Sequence, residues 1–318
     1  MRAGRKLFAR VILVAFVAAS ICALLAGRLP ALSDSASNPR SGGKVPLRIS
    51  VQDKSGTEIA GTGASLSSAT SAVLAFDHEY QPGDHIVLHG PRRIAVRVDQ
   101  NLSECLLYLP DSSGGLFDYV FPYGRAEQQT GSAYASDSFA GKSHRVTAHI
   151  LNRKERTGYR NLALNPCDVV RAEDEPTQAL PHSSTNSFAR NLFDFAARNA
   201  IDGVQQTGHH GVWPYQSWGP EMRPDLWWKL DFGRPVELDK IRLMIRADYP
   251  HDSYWKSAVV EFSDGSQLSI HISSSAKLQE FRFPKQKITW FRITKLVSEN
   301  PAKWCGFIEV EAWGRDLP

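Results

Sequence analysis

The sequence predicts an all-β protein: two antiparallel β-sandwich (jelly-roll) domains in tandem, after an N-terminal hydrophobic signal or anchor segment. Three observations predict it. Short apolar runs closed by turn residues fill the stretch from Val45 to Ile150. The same patterning restarts at Asn161 and continues to the C-terminus. No long helical period interrupts either stretch.

Taken in order, residues 1–31 read as an export signal. Arg2, Arg5, Lys6 and Arg10 precede an apolar run from Val11 to Ala26, which is short for a transmembrane helix. The small-residue cleavage pattern is poor, so a cleaved signal peptide and an uncleaved signal anchor both stay open. Either way the bulk of the chain is expected to face an oxidising compartment outside the cytoplasm, secreted, periplasmic or membrane-anchored. Membrane contact is expected only through this segment. Residues 32–44, rich in Ser, Asn and Gly, read as a tether.

The first domain is placed at 45–150. Its expected strands are Leu47–Val51, His85–Leu88, Ile94–Val98, Cys105–Leu109, Phe117–Phe121 and Arg145–Ile150. Gln81-Pro82-Gly83-Asp84 and Asp111-Ser112-Ser113-Gly114-Gly115 are the clearest turns between them. The charged stretch 151–160 is the expected connection. The second domain, 161–318, has expected strands at Trp227–Phe232, Ile241–Ile245, Ala258–Phe262, Leu268–Ile272, Phe281–Phe283, Trp290–Ile293 and Phe307–Trp313. Gly233-Arg234-Pro235 and Ser263-Asp264-Gly265-Ser266 are read as turns.

Composition excludes some classes. Hydrophobic content of 42% and charged content of 22% are those of a globular protein, and the formal net charge of +4 gives no basic face for nucleic acid. Four cysteines are too few for a disulfide scaffold. All 8 tryptophans lie beyond residue 200, so the second half is where binding is expected.

Two loops there combine aromatic and polar side chains. The first carries His209 and His210 and then Trp213, Tyr215 and Trp218. Glycine and proline mark it as a loop, and flat rings with polar tips suit stacking on a sugar. The same rings would also serve as plugs for one end of a sandwich. The second loop runs from Arg246 to Lys256 and includes Asp248, His251, Asp252 and Trp255. Arg, Asp, His and Trp on one loop suit recognition of vicinal hydroxyls. The plainer reading is a salt-bridged loop in which Arg246 pairs with Asp248 or Asp252. His209, His210 and His251 complete no zinc pattern, since no Cys or carboxylate follows at standard spacing.

Several pieces of the second half resemble the discoidin domains, also called coagulation factor five/eight type C or galactose-binding-like domains, which include the family-32 carbohydrate-binding modules. Asn161-Leu162-Ala163-Leu164 resembles their opening strand and Asn199-Ala200-Ile201-Asp202-Gly203 their N-A-x-D-G turn. Trp227 to Gly233 resembles the strand ending in D-hydrophobic-G, and Val259 to Gly265 the one ending in S-D-G. Glu309 to Gly314 resembles the closing strand. The resemblance covers about half of the chain.

It implies a ligand site on loops at one end of the sandwich, placing Trp213, Tyr215, Trp218, Arg246, Asp248, His251 and Trp255 together. It also implies a structural calcium ion at Asn199, Asp202 and Glu309, with help only from Gln205 and Thr207. A plain turn with a capping Asp fits the same residues. Discoidin domains that clip their ends with a disulfide suggest Cys167 with Cys305; free buried cysteines remain the alternative.

The function expected is an exported, non-catalytic carbohydrate-binding protein that recognises a cell-surface or envelope glycan. Two alternatives stand beside it: a polysaccharide hydrolase or its accessory, and a protein or lipid adhesion module. Against the hydrolase, the first domain offers neither paired carboxylates on a recognisable scaffold nor a nucleophile elbow.

Overall fold

The computed structural model describes residues 46–61, 70–122, 133–170 and 179–317. The N-terminal apolar segment and the tether lie outside the described residues. Among those described, no helix is long and apolar enough to cross a membrane.

The regular structure of the described residues is mostly strand, arranged in antiparallel sheets with few helices. Among the described residues, eight strands precede residue 151: β1 Arg48–Gln52, β2 Glu58–Gly61, β3 Ser71–Asp77, β4 His85–His89, β5 Arg93–Arg97, β6 Cys105–Tyr108, β7 Leu116–Val120 and β8 Ser143–Ile150. They form two sheets, ordered β2-β1-β4-β7 and β3-β8-β5-β6. Alternate residues of both sheets, among them Ile49, Val51, Leu74, Ile86, Leu88, Ile94, Val96 and Val146, share one buried cluster. This is the alternation expected when one face of each strand is removed from water. The edge strands β2 and β3 add to the six strands read from sequence. A short helix, α1 Arg153–Thr157, lies within the charged stretch 151–160. A capping box starts it: Asn152 Oδ1 accepts from Glu155 N while the Glu155 carboxylate accepts from Asn152 N.

Seven strands follow among the described residues: β9 Arg160–Asn161, β10 His182–Thr185, β11 Trp228–Ile245, β12 Trp255–Phe262, β13 Gln267–His271, β14 Gln279–Ser298 and β15 Phe307–Asp316. They form one sheet, β13-β12-β14-β11-β15-β9, with β10 also on β11. Four of the expected strands are here fused into two. The expected turn at Gly233-Arg234-Pro235 lies inside β11, and the register with β14 shifts between Asp231 and Val236 and again between Leu238 and Lys240. Such bulges bend a strand without ending it. Trp228, Leu230, Phe232, Val236, Leu238, Ile241, Leu243 and Ile245 of β11 therefore all reach one core, with Val260, Phe291, Ile293 and Val310. The interior position of Arg234 has a long-range cause. Its buried guanidinium donates to Asp316 Oδ1 from Nε and Nη2 at 3.1 and 2.8 Å.

The disulfide expected between Cys167 and Cys305 is corrected. Cys167 pairs with Cys105, and Cys305 is free and buried beside Ser298. Cys167 belongs to the apolar cluster of β1–β8, which carries it away from the last strands. Other contacts join the same region. Tyr108 and Leu180 exchange backbone hydrogen bonds at 2.8 and 2.9 Å, and the Arg198 guanidinium lies 4.8 Å from the centre of the Tyr134 ring.

Candidate functional site

The site lies where four loops meet. They are the stretch before β11 that carries Ala189 to Phe195, the stretch Gly208 to Trp218, the β11–β12 loop from Arg246, and the β14–β15 loop that carries Trp304. A cavity of about 90 Å³ opens among them. Phe195, Ala189 and Trp304 give it apolar walls, and Arg246, His210 and His251 give it polar ones, with Arg190 at its rim.

Arg246 is fixed from below. Its guanidinium is buried and donates to both oxygens of Asp252, Nε to Oδ2 and Nη2 to Oδ1, each at 2.7 Å. Asp252 is thus the partner among the two that sequence left open. The Arg246 Nη1 stays outside this clasp, and the guanidinium lies 5.8 Å from the Phe195 ring centre. The backbone N–H of Arg246 donates to Gly306 O at 2.8 Å. A Cβ on Gly306 would come 2.9 Å from Trp218 O and 3.4 Å from Arg246 Cβ, so this close approach requires glycine.

The two aromatic-polar loops do meet, through histidine rather than tryptophan. His210 Nδ1 and Asp248 Oδ2 are 2.6 Å apart. The His210 and His251 rings stack at 4.6 Å with an interplanar angle of 21°. His251 Nδ1 lies 3.3 Å from Asp252 Oδ1. His210 N donates to His209 Nδ1 at 2.7 Å, which fixes the turn that presents His210.

Two expected site residues are corrected. Trp218 is fully buried, and Trp255 is 3% exposed. Their rings stack at 5.3 Å and both pack on Phe307. Trp218 exchanges two backbone hydrogen bonds with Phe307, and its Nε1 donates to Ser187 O at 3.0 Å. An indole whose one polar atom finds a backbone partner can be buried without penalty, and these two rings are core. Trp213 is 42% exposed but does not line the cavity, and neither does half-buried Tyr215, whose ring lies 5.2 Å from His209. Phe195, Trp304 and Arg190 were not singled out from sequence. A tryptophan left outside every expected strand was the available signal for Trp304.

The expected calcium set divides. Asn199 is corrected: its Oδ1 accepts from Arg198 Nη1 at 2.9 Å and its Nδ2 donates to Phe193 O at 2.6 Å, so it fastens loops. Asp202 and Glu309 are buried close to one another, beside Gly203, which takes φ +84°. Asp202 accepts from Val204 N and Gln216 Nε2, and Glu309 accepts from Gly203 N. Burial pushes the Asp202 carboxyl up to about 6, against the pull of Arg198 and Gln216. Burial, then the charges of Asp202 and Glu311, push Glu309 well above the usual carboxylate range. Gln216, which donates to Asp202, leaves its buried Oε1 without a hydrogen-bond partner among the described residues, and the buried Thr207 Oγ1 and Ser217 Oγ also have none. Paired buried carboxylates and orphaned oxygens are the donor chemistry of a hard cation, and Asp202, Glu309 and Thr207 fit one.

No family model matches the chain, and no curated protein matches it. About half of the chain is similar in structure to solved carbohydrate-binding modules, at low identity. One is chitosan-binding module 1 of a chitosanase/glucanase from Paenibacillus sp. IK-5, at 17% identity over 49% of this chain and 99% of that one, TM-score 0.35. Another is a family-32 module from Clostridium perfringens solved with GalNAc-β-1,3-galactose, at 15% identity over 42% of this chain and 94% of that one, TM-score 0.34. A third is a fucose-binding module of Streptococcus pneumoniae, at 18% identity over 49% of this chain and 99% of that one, TM-score 0.34.

Proposed function

We propose that the four-loop cavity binds a glycan, without cleaving it, in an exported protein. The observation that carries this reading is the cavity itself: Phe195 and Trp304 walls facing His210, His251 and a buried, preorganised Arg246. Small-molecule sites have this character, an apolar concavity with a few fixed polar groups. An aromatic wall suits the apolar face of a pyranose, and the imidazole and guanidinium N–H groups suit its hydroxyls. Binding without cleavage is supported by the state of the carboxylates at the cavity. Asp252 is held by Arg246 and Asp248 by His210, whereas glycoside cleavage needs two carboxylates free to act as acid and as base or nucleophile. Export is supported by the Cys105–Cys167 disulfide.

The test is a glycan array on the purified chain, with chitosan oligosaccharides and galactose- and fucose-terminated glycans in the panel. Trp304→Ala and His251→Ala should each abolish or strongly weaken the signals that the unaltered chain gives. A wild-type chain that binds no glycan, or signals that both variants keep, would refute the reading.

One observation favours a second reading, adhesion to a lipid surface. Val212 and Trp213 are adjacent on a loop and 60% and 42% exposed. Co-sedimentation with anionic and neutral vesicles separates the readings, since Trp213→Ala should remove vesicle binding and leave the glycan signal.

We propose further that Asp202, Glu309 and Thr207 hold a calcium ion. When bound, the ion would supply positive charge that offsets two buried carboxylates and ties the 202–207 turn to β15. Chelation should lower the melting temperature of the unaltered chain, and Asp202→Ala should remove that response. An unchanged melting curve in the presence of chelator overturns the calcium reading alone.

A further inference from the structure

We propose that His210, His251 and Asp248 form a binding site for a divalent transition-metal ion of the zinc class, at the mouth of the cavity. The residues come from two loops some forty positions apart, so no sequence motif unites them. The structure brings one donor atom each of His210, Asp248, His251 and Asp252 to within 4.8 Å of one another.

The four candidates are not equivalent. Both oxygens of Asp252 already accept from Arg246, at 2.7 Å each, so Asp252 stays with that guanidinium. The pair also cancels the Arg246 charge beside the site. That leaves His210, His251 and the carboxylate of Asp248. Two imidazoles and one carboxylate suit zinc, nickel, cobalt or copper, whereas calcium wants oxygen donors throughout. Three protein donors leave coordination positions open to water.

The geometry is close to what an ion needs. His210 Nδ1 and Asp248 Oδ2 already face one another at 2.6 Å. An ion would replace the proton between them, and His210 would carry its proton on Nε2 instead, so no net charge is lost from the ring. The stacked His251 ring, 4.6 Å from His210, brings a ring nitrogen as third donor. Donors around a tetrahedral ion with Zn–N near ~2.0–2.1 Å stand roughly 3.3 Å apart, so the 2.6 Å pair must open by about 0.7 Å and a separation of up to 4.8 Å must close by about 1.5 Å. His251 is able to supply that movement, because its side chain is 55% exposed and sits on a loop. His210 is less free, being tied through its backbone to His209.

This site does not depend on the glycan reading, and its test uses no sugar. The full-length chain, free of any affinity tag, is stripped with chelator and then saturated with calcium, so that an oxygen-only site is filled. Co²⁺ is titrated in and its visible d–d absorption recorded, and Zn²⁺ is then used to displace it. A single saturable Co²⁺ spectrum is expected, displaced by Zn²⁺. Its affinity should fall by at least roughly tenfold in His210→Ala, in His251→Ala and in Asp248→Asn, and should be unchanged in His271→Ala, whose ring lies exposed on β13. Circular dichroism and melting establish that each variant is folded. If His210→Ala unfolds, exposed His251 decides the matter by itself. Absence of a saturable cobalt spectrum, or an affinity that His251→Ala leaves unchanged, overturns the proposal.

Discussion

Removing the Asp252 carboxylate tests whether the cavity wall is held by a buried ion pair. The side chains are 3% and 0% exposed for Arg246 and Asp252, and two hydrogen bonds of 2.7 Å join them. Asp252→Ala strands the guanidinium: Nε and Nη2 lose their acceptors on a buried side chain. Breaking one side of a buried pair costs about 3–5 kcal/mol, because a buried charge is left without a partner. A pair on the surface behaves differently. Lys256 and Glu299 stand 3.2 Å apart but are 51% and 52% exposed, so Glu299→Ala should cost less than about 1 kcal/mol. The double variant Arg246→Met, Asp252→Ala removes the stranded charge and fills part of the volume, and should recover most of the loss. Urea unfolding gives all four stabilities, and equal slopes across the variants show that the unfolded state is not the cause. If Asp252→Ala costs no more than Glu299→Ala, or if the double variant is no better than the single, the buried-pair argument is refuted.

Trp218→Ala and Trp255→Ala should each destabilise the fold by roughly 3–5 kcal/mol, while Trp213→Ala, exposed on its loop, should stay within about 0.5 kcal/mol; denaturant unfolding separates them. The Cys105–Cys167 bridge spans 62 positions, for which loop-closure entropy gives about 4 kcal/mol, read as a lower melting temperature on reduction. Trypsin cleavage at Arg153, Lys154 or Arg156, between the bridged cysteines in sequence, should leave two fragments joined on a gel until reductant is added. The Asp202 carboxyl rises on folding from 3.8 to about 6. The native state therefore holds this proton more tightly. Its contribution, at most about 3 kcal/mol, is fully present below pH 3.8 and is lost as the pH rises through 6. Melting curves from pH 4 to pH 7.5 in chelator should show that loss, and calcium should reduce it at the upper end.

Much of the fold was legible because burial on one face of a strand writes a period of two into the sequence. Trp228, Leu230 and Phe232 show it within five residues, and the structure buries all three. What was not legible depends on partners far away in the chain. Gly233-Arg234-Pro235 has every local mark of a turn. It continues β11 because Arg234 finds Asp316, 82 positions on, and because a bulge absorbs the extra residues. The cysteines are a second case. Spacing says nothing about which thiols approach one another, and Cys167 is carried to Cys105 by burial in the β1–β8 cluster.

The site shows the same division more sharply. Sequence placed two aromatic-polar loops near one another, and they do meet, but tryptophan was a poor guide to what each ring does there. Trp213 and Trp218 lie five positions apart on one loop and differ in a single respect that sequence does not state. Trp218 Nε1 finds a backbone acceptor in Ser187 and a ring partner in Trp255, so burial satisfies every atom of it. Among the described residues, no such partner meets Trp213. The groups that do line the cavity are gathered by a chain of fixed contacts from four segments. Gly306 lets Arg246 and the Trp218 backbone approach, Asp252 then orients Arg246, and Asp248 draws His210 across to His251. No one segment carries the constellation, so its chemistry becomes visible only once the loops are folded together.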